Sequence, residues 1–130
     1  VHVLRYVAAH DCGRAINPMV VEGQLHGGIA QGLGTALAEE LVHDADGQLL
    51  TGSFMDYAIP AAADLPALET IVLSFPSTRN DLGIKGVGES GIIPPPAAIA
   101  NAVEDALSDR GVEIGAVPLT RARVWQSLRR

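Results

Sequence analysis

The feature that most restricts how this chain can fold is a stretch that keeps the pattern of a helix while carrying five glycines. Asn17-Pro18 supplies a capping side chain followed by proline at the first helical position, and Leu25, Ile29, Leu33, Leu37 and Leu41 then recur at steps of four. The spacing predicts one long helix over 18–41. Gly23, Gly27, Gly28, Gly32 and Gly34 lie inside it, and each costs roughly 1 kcal/mol relative to alanine in a helix interior. A freely exposed helix does not tolerate that sum, so its bare backbone must lie hard against another helix, other backbone or a ligand. Gly23, Gly27 and Gly34 fall on one ridge, with Gln24 and Gln31 on the side beside it. A side chain held that close can use both the donor and the acceptor of its amide, which makes Gln24 a candidate binding residue.

Around this helix, strand and helix signals alternate. Residues 1–9 are rich in Val, Leu, Tyr and Ala and run into Asp11-Cys12-Gly13, so a strand leads into a turn. The abrupt start on a strand reads as a cut or subunit boundary inside a larger domain. Asp46-Gly47 marks a hairpin between a short strand ending near Val42 and another over 48–52. Ser53 to Pro60 has no clean period and is expected to be an ordered loop. Residues 68–75 alternate as a strand, and 76–91 form a long connection of a length that is usually functional or disordered. Pro95-Pro96 opens a helix that carries Ile99, Val103, Ala106 and Leu107 and ends before Gly111, and Thr120 caps a last helix to about Arg129. With no repeat or linker to divide it, residues 1–130 are expected to form one α/β piece of mixed strands around a Gly-rich helix. Only 4% of residues are aromatic, against 14 Gly and 8 Pro, so the interior must be small aliphatic side chains on close backbone, which suits part of a larger body.

The stretch most suggestive of chemistry is Gly83-Ile84-Lys85-Gly86-Val87-Gly88-Glu89-Ser90-Gly91. One carboxylate stands in backbone that is poor material for a core and well suited to approaching something bound. Glu89 reads in two ways: as an exposed carboxylate paired with Lys85, or as a general base whose pKa is lifted by dehydration beside Val87, Ile92 and Ile93. Gly86, Gly88 and Gly91 formally match a dinucleotide fingerprint, but three prolines follow where a helix should already run, and the preceding strand ends some ten residues too early.

Charge and composition narrow the remaining classes. A net charge of −6 without a basic stripe argues against nucleic acid as a partner, and the arginines at 121, 123, 129 and 130 are the ordinary charge of a final helix. Cys12 is the single cysteine, which excludes an internal disulfide or a thiolate metal cage and favours a reducing compartment. His2, His10, His26 and His43 lack the spacing of a metal site on one element, so no metal-ligating side chain is assigned. No apolar run approaches the ~20 residues of a membrane span.

Four segments occur in register: Asp11-Cys12-Gly13 with Ile16-Asn17-Pro18, Glu22 to Gly34, Ser53-Phe54-Met55-Asp56-Tyr57, and Gly83 to Ser90. Together, over about residues 3–108, they resemble the C-terminal part of the molybdopterin-binding large subunit of the xanthine oxidase, aldehyde oxidoreductase and carbon monoxide dehydrogenase family. The resemblance implies a molybdenum hydroxylase that oxidises an aldehyde or N-heterocycle with oxygen from water. In it Glu89 would be the catalytic base beside the metal, Gln24 would hydrogen-bond the pterin, and Gly86 and Gly88 would let the backbone approach the cofactor. Phe54 to Tyr57 would either shape the wall of the site or pack in the core. The family's large subunit is several times longer, so the molybdenum–pterin cofactor would be held mostly by the remaining part of that subunit, with 2Fe-2S clusters and FAD on partner subunits. The expected compartment is cytoplasmic, or periplasmic through a partner's export signal. A non-catalytic assembly module and a nucleotide-binding module are the alternatives.

Overall fold

Asn17 and Pro18 start the long helix as their order predicts. In the computed structural model, which describes residues 1–129, the Asn17 side chain accepts from the main-chain N–H of Val20 at 3.3 Å and helix α1 runs over Pro18–Leu37. Strand β1 (Arg5–Asp11) precedes it and strand β2 (Ala67–Leu73) follows; the two pair in parallel, from Arg5 opposite Ala67 to Asp11 opposite Leu73. Parallel neighbours need a long crossover, which α1 and residues 38–66 supply. Helix α2 (Pro94–Ala106) packs on α1, and a short helix α3 (Arg121–Ser127) closes the described chain. The mixed α/β architecture is the expected one.

The buried stripe of α1 is Val21, Leu25, Ile29 and Leu33. Its middle joins Tyr6 of β1, Ile99 and Val103 of α2 and Leu119 in the main core. Its first turns join Cys12 in a smaller cluster against which Ala15 and Val87 pack. This second cluster lies under the candidate site.

The long helix departs from expectation in two respects. It stops at Leu37 instead of continuing to Leu41, which is 64% exposed. Continuation would need the carbonyl of Ala36 for the next turn, but that carbonyl accepts from Leu119 N–H at 2.6 Å, while Glu39 N–H reaches back to the Gly34 carbonyl that Ala38 N–H already uses as its helical partner. Of the expected glycine ridge only Gly34 is closely packed, against Glu39 and Pro60, and the other close approaches are at glycines outside it. Gly23 and Gly27 face open space, whereas a Cβ at Gly28 would lie 2.8 Å from Gly91 Cα and one at Gly32 would lie 2.7 Å from Pro95 Cγ. Gly28 and Gly32 are therefore the residues that let the chain at 91–95 lie directly on α1.

Residues 42–52 turn on Asp44, whose carboxylate accepts from Asp46 and Gln48 N–H, but their pairing is a single bridge, His43 to Leu49, with no extended strands. Phe54 and Met55 are 89% and 93% exposed, and Tyr57 donates its hydroxyl to Glu39 at 2.6 Å, just past the end of α1. Phe54 and Met55 are therefore not core residues. Arg123 binds Glu40 at 2.8 Å and Arg129 stacks on Trp125 at 3.8 Å; Arg130 lies outside the described residues. No helix among the described residues is long and apolar enough to cross a membrane.

Candidate functional site

The 76–93 segment is built rather than loose, and the end of β1 builds it. Asp11 accepts from Gly13 N–H and Phe75 N–H, each at 2.9 Å, and pairs through its other oxygen with Lys85. The Lys85 ammonium first, then the N–H groups of Phe75 and Gly13, hold the Asp11 carboxyl well below the ordinary carboxylate range, at about 2. Gly13 has φ +63° and Gly83 φ +68°, a region other residues rarely adopt, and a Cβ on Gly13 would strike the Gly83 carbonyl. That closeness lets Arg14 N–H donate to Gly83 and Lys85 N–H donate to Cys12, both at 2.9 Å. Asn80 braces the same turn from inside, accepting from Ile84 N–H and donating to Ile84 carbonyl, each at 3.0 Å.

From Lys85 the chain passes over α1. Val87 turns down onto the Cys12, Val21 and Leu25 cluster. Gln24, in the second turn of α1, donates its amide to the Gly88 carbonyl at 2.7 Å. Ser90 Oγ lies 3.1 Å from His10 Nε2 of β1, and Gly91 sits so close to α1 that a Cβ there would be 2.9 Å from Gly28 Cα. The carbonyl of Glu89 then accepts from Ile92 and Ile93 N–H, turning the chain into α2 at Pro94. Gly91 thus meets a helix from outside instead of standing within one, unlike the third glycine of a dinucleotide turn.

The structure brings Gln24, Gly86, Gly88 and Glu89 together, with Gln24 bonded directly to Gly88. Glu89 is exposed, and no ion pair of the described residues includes it; Lys85, the partner a surface pairing would use, is taken by Asp11. The expected dehydration by apolar neighbours is not supplied here, because Val87 is turned inward and Ile93 is 70% exposed. Around Gln24 and Glu89 the backbone is bare: a Cβ placed on Gly23, Gly27, Gly86 or Gly88 would meet nothing within 4 Å. Gln24 and Glu89, both exposed, therefore stand beside glycine backbone with open space above it, which leaves main chain free to meet a bound group. A cavity of about 410 Å³ lined by Leu33, Leu37, Pro60, Leu65, Leu119 and Arg121 is elsewhere and includes none of these residues.

Sequence reasoning singled out the residues on this surface but missed those that hold it: Asp11, His10 and Ser90 in their bonding roles. Asp11 was visible as a turn residue and as part of a family segment, but nothing in a linear pattern pairs it with Lys85, 74 positions away.

The family model of the molybdopterin cofactor-binding domain matches residues 1–66. The nicotine 6-hydroxylase large subunit of Paenarthrobacter nicotinovorans is 44% identical over 124 residues, which are 95% of this chain and 15% of that protein. The carbon monoxide dehydrogenase large chain of Hydrogenophaga pseudoflava is 41% identical over 127 residues, 98% of this chain and 16% of that one. Among solved structures, quinoline 2-oxidoreductase from Pseudomonas putida 86 superimposes with a TM-score of 0.95 at 47% identity, covering 98% of this chain and 16% of that chain. The chain thus spans about 15–16% of the length of the relatives it matches.

Proposed function

The chain belongs to the molybdopterin cofactor-binding domain family, as part of a molybdenum hydroxylase large subunit, and on that premise we propose that Glu89 is the catalytic base of a molybdenum-dependent oxidoreductase. The reaction we assign is hydroxylation of an aldehyde or N-heterocycle with oxygen from water. Residues 1–130 would act as one piece of a larger domain, completed by the remaining part of the large subunit and by iron–sulfur and flavin subunits. The single buried thiol, Cys12, suits a reducing, cytoplasmic compartment.

The observation that carries the reading is the open glycine backbone at 23, 27, 86 and 88 beside the exposed Glu89 and beside Gln24, which is bonded to Gly88. The molybdenum–pterin group, when bound, would supply a Lewis acid that raises the acidity of water at the site and an acceptor for the two electrons lost by the substrate. The residues of this chain do the rest. Gln24 spends one amide N–H on the Gly88 carbonyl, which leaves its second N–H and its oxygen for the pterin. Gly86 and Gly88 permit main-chain approach. Glu89 accepts a proton at one carboxylate oxygen from the water whose oxygen enters the product, and its dehydration comes from the cofactor, the substrate and the rest of the large subunit closing over this face.

The test is Glu89→Gln in the complete enzyme, assayed with quinoline and benzaldehyde and an artificial electron acceptor. Molybdenum and pterin content should be intact, with turnover lowered by roughly 10²- to 10⁴-fold. Unchanged turnover rejects the role. It would favour instead an assembly module, a reading that has the tight Gly28 and Gly32 packing in its support but no use for an exposed Glu89.

A further inference from the structure

We propose that His10 and Asp11, consecutive residues at the end of β1, are positioning residues that grip the Glu89 loop from its two ends. This rests on Glu89 being the base. Lys85, one residue before the bare arc 86–89, is held by Asp11; Ser90, one residue after it, is held by His10 at 3.1 Å. Successive side chains on a strand leave opposite faces, so a loop that meets both must cross over the end of the strand. The Gln24 bond to the Gly88 carbonyl pins the arc from α1 between these two grips.

The need for such a device follows from composition. A Cβ on Gly86 or Gly88 would meet nothing within 4 Å, so no side-chain packing at these two positions fixes the main chain, and glycine has the widest conformational freedom of any residue. An arc that is bare enough to admit a cofactor cannot set its own shape, yet a base must be placed to within a fraction of an ångström to work. Of the three anchors, the His10 contact and the Gln24 bond each act one residue from Glu89, and the His10 contact is the one that spares the proposed pterin-binding amide. It joins two partly buried side chains and involves neither Gln24 nor the Gly88 carbonyl, so its removal acts on Glu89 through geometry and leaves those groups in place.

The experiment uses the complete, cofactor-loaded enzyme with His10→Ala, His10→Gln, Ser90→Ala and Ser90→Thr, and Glu89→Gln in parallel. Glutamine places an amide nitrogen near the position of His10 Nε2, and threonine keeps the hydroxyl. Expected for both alanine variants are unchanged molybdenum and pterin content, KM within about twofold, and kcat lowered by roughly ten- to a hundredfold. Backbone amides at 87–91 should exchange faster by mass spectrometry while those of α1 do not change, and the glutamine and threonine variants should recover most of both readouts. Ser90→Ala, on a partly exposed loop, decides the matter should His10→Ala fail to assemble. Alanine variants with wild-type kcat, or with wild-type exchange at 87–91, overturn the proposal even where Glu89→Gln is inactive. An active Glu89→Gln instead removes the reading on which it rests, and faster loop exchange would then stand as packing alone.

Discussion

The bonds of Asp11 to Lys85, Phe75 and Gly13 exist fully only while its carboxyl is ionised. Its pKa in the folded chain, about 2, lies below the ordinary value of 3.8, so the unfolded state binds more protons between those two values. Stability therefore rises with pH across that window: the contribution is complete above about pH 4 and is lost as pH falls toward 2. Asp11→Asn removes the charge at every pH. Peptides covering 75–91 in the complete enzyme should exchange faster in the variant at pH 5, and the difference from wild type should shrink toward zero as pH approaches 2. A difference that persists undiminished at the acid end would show that the charge of Asp11 is not what orders the loop. Glu89 and Gln24 could be picked out from sequence because bare glycine around a lone polar group is itself unusual. Asp11 could not, because its partners lie 64 and 74 positions away and leave no periodic trace.

At the scale of elements, the capping pair and the four-residue apolar step made α1 and its buried face legible, since both are local properties of the chain. The helix end and the packing ridge were not local. Leu119 takes the carbonyl that a further turn would use, and the chain at 91–95 selects Gly28 and Gly32 instead of Gly23 and Gly27. The five glycines thus divide by task, and substitution separates the tasks. Gly28→Ala would drive a methyl into the Gly91 and Ile92 backbone, at 2.8 and 2.9 Å, and overpacking of that kind typically costs about 1–3 kcal/mol. Gly27→Ala meets nothing and replaces a poor helix former with the best one, a gain of roughly 0.5–1 kcal/mol. Calorimetry of the complete enzyme should show Tm falling for the first. For the second, the cofactor-free enzyme should show a rise, while molybdenum and pterin content should drop if the proposed site extends over this open face of α1. A Gly27→Ala enzyme that loads cofactor normally would mean that this face of α1 is not the one the pterin meets.

Across the whole molecule, the two strands β1 and β2 make the entire sheet among the described residues, and a pair of strands is marginal without more strands or helices on it. The helices cover part of that need, through the core of Tyr6, Ile29, Leu33 and Ile99. Much apolar surface is left over: Leu4, Met19, Phe54, Met55 and Ile93 are each at least 70% exposed, spread over several faces. Single exposed apolar residues are ordinary, but this many in a chain spanning 15% of a relative's length fit surfaces that the rest of a large subunit covers. The same incompleteness applies to the proposed site, where Glu89 and Gln24 are exposed and the cavity of about 410 Å³ beside Leu33 and Pro60 does not include them. Produced by itself, the chain should bind a hydrophobic dye, self-associate at micromolar concentration and carry neither molybdenum nor pterin. Produced together with the remaining part of the large subunit, it should enter one soluble complex, lose the dye signal and hold molybdenum in stoichiometric amount. Metal analysis and gel filtration of the two preparations decide between the outcomes: a lone chain that is monomeric, silent toward the dye and loaded with metal would show that these residues hold the cofactor without help from outside.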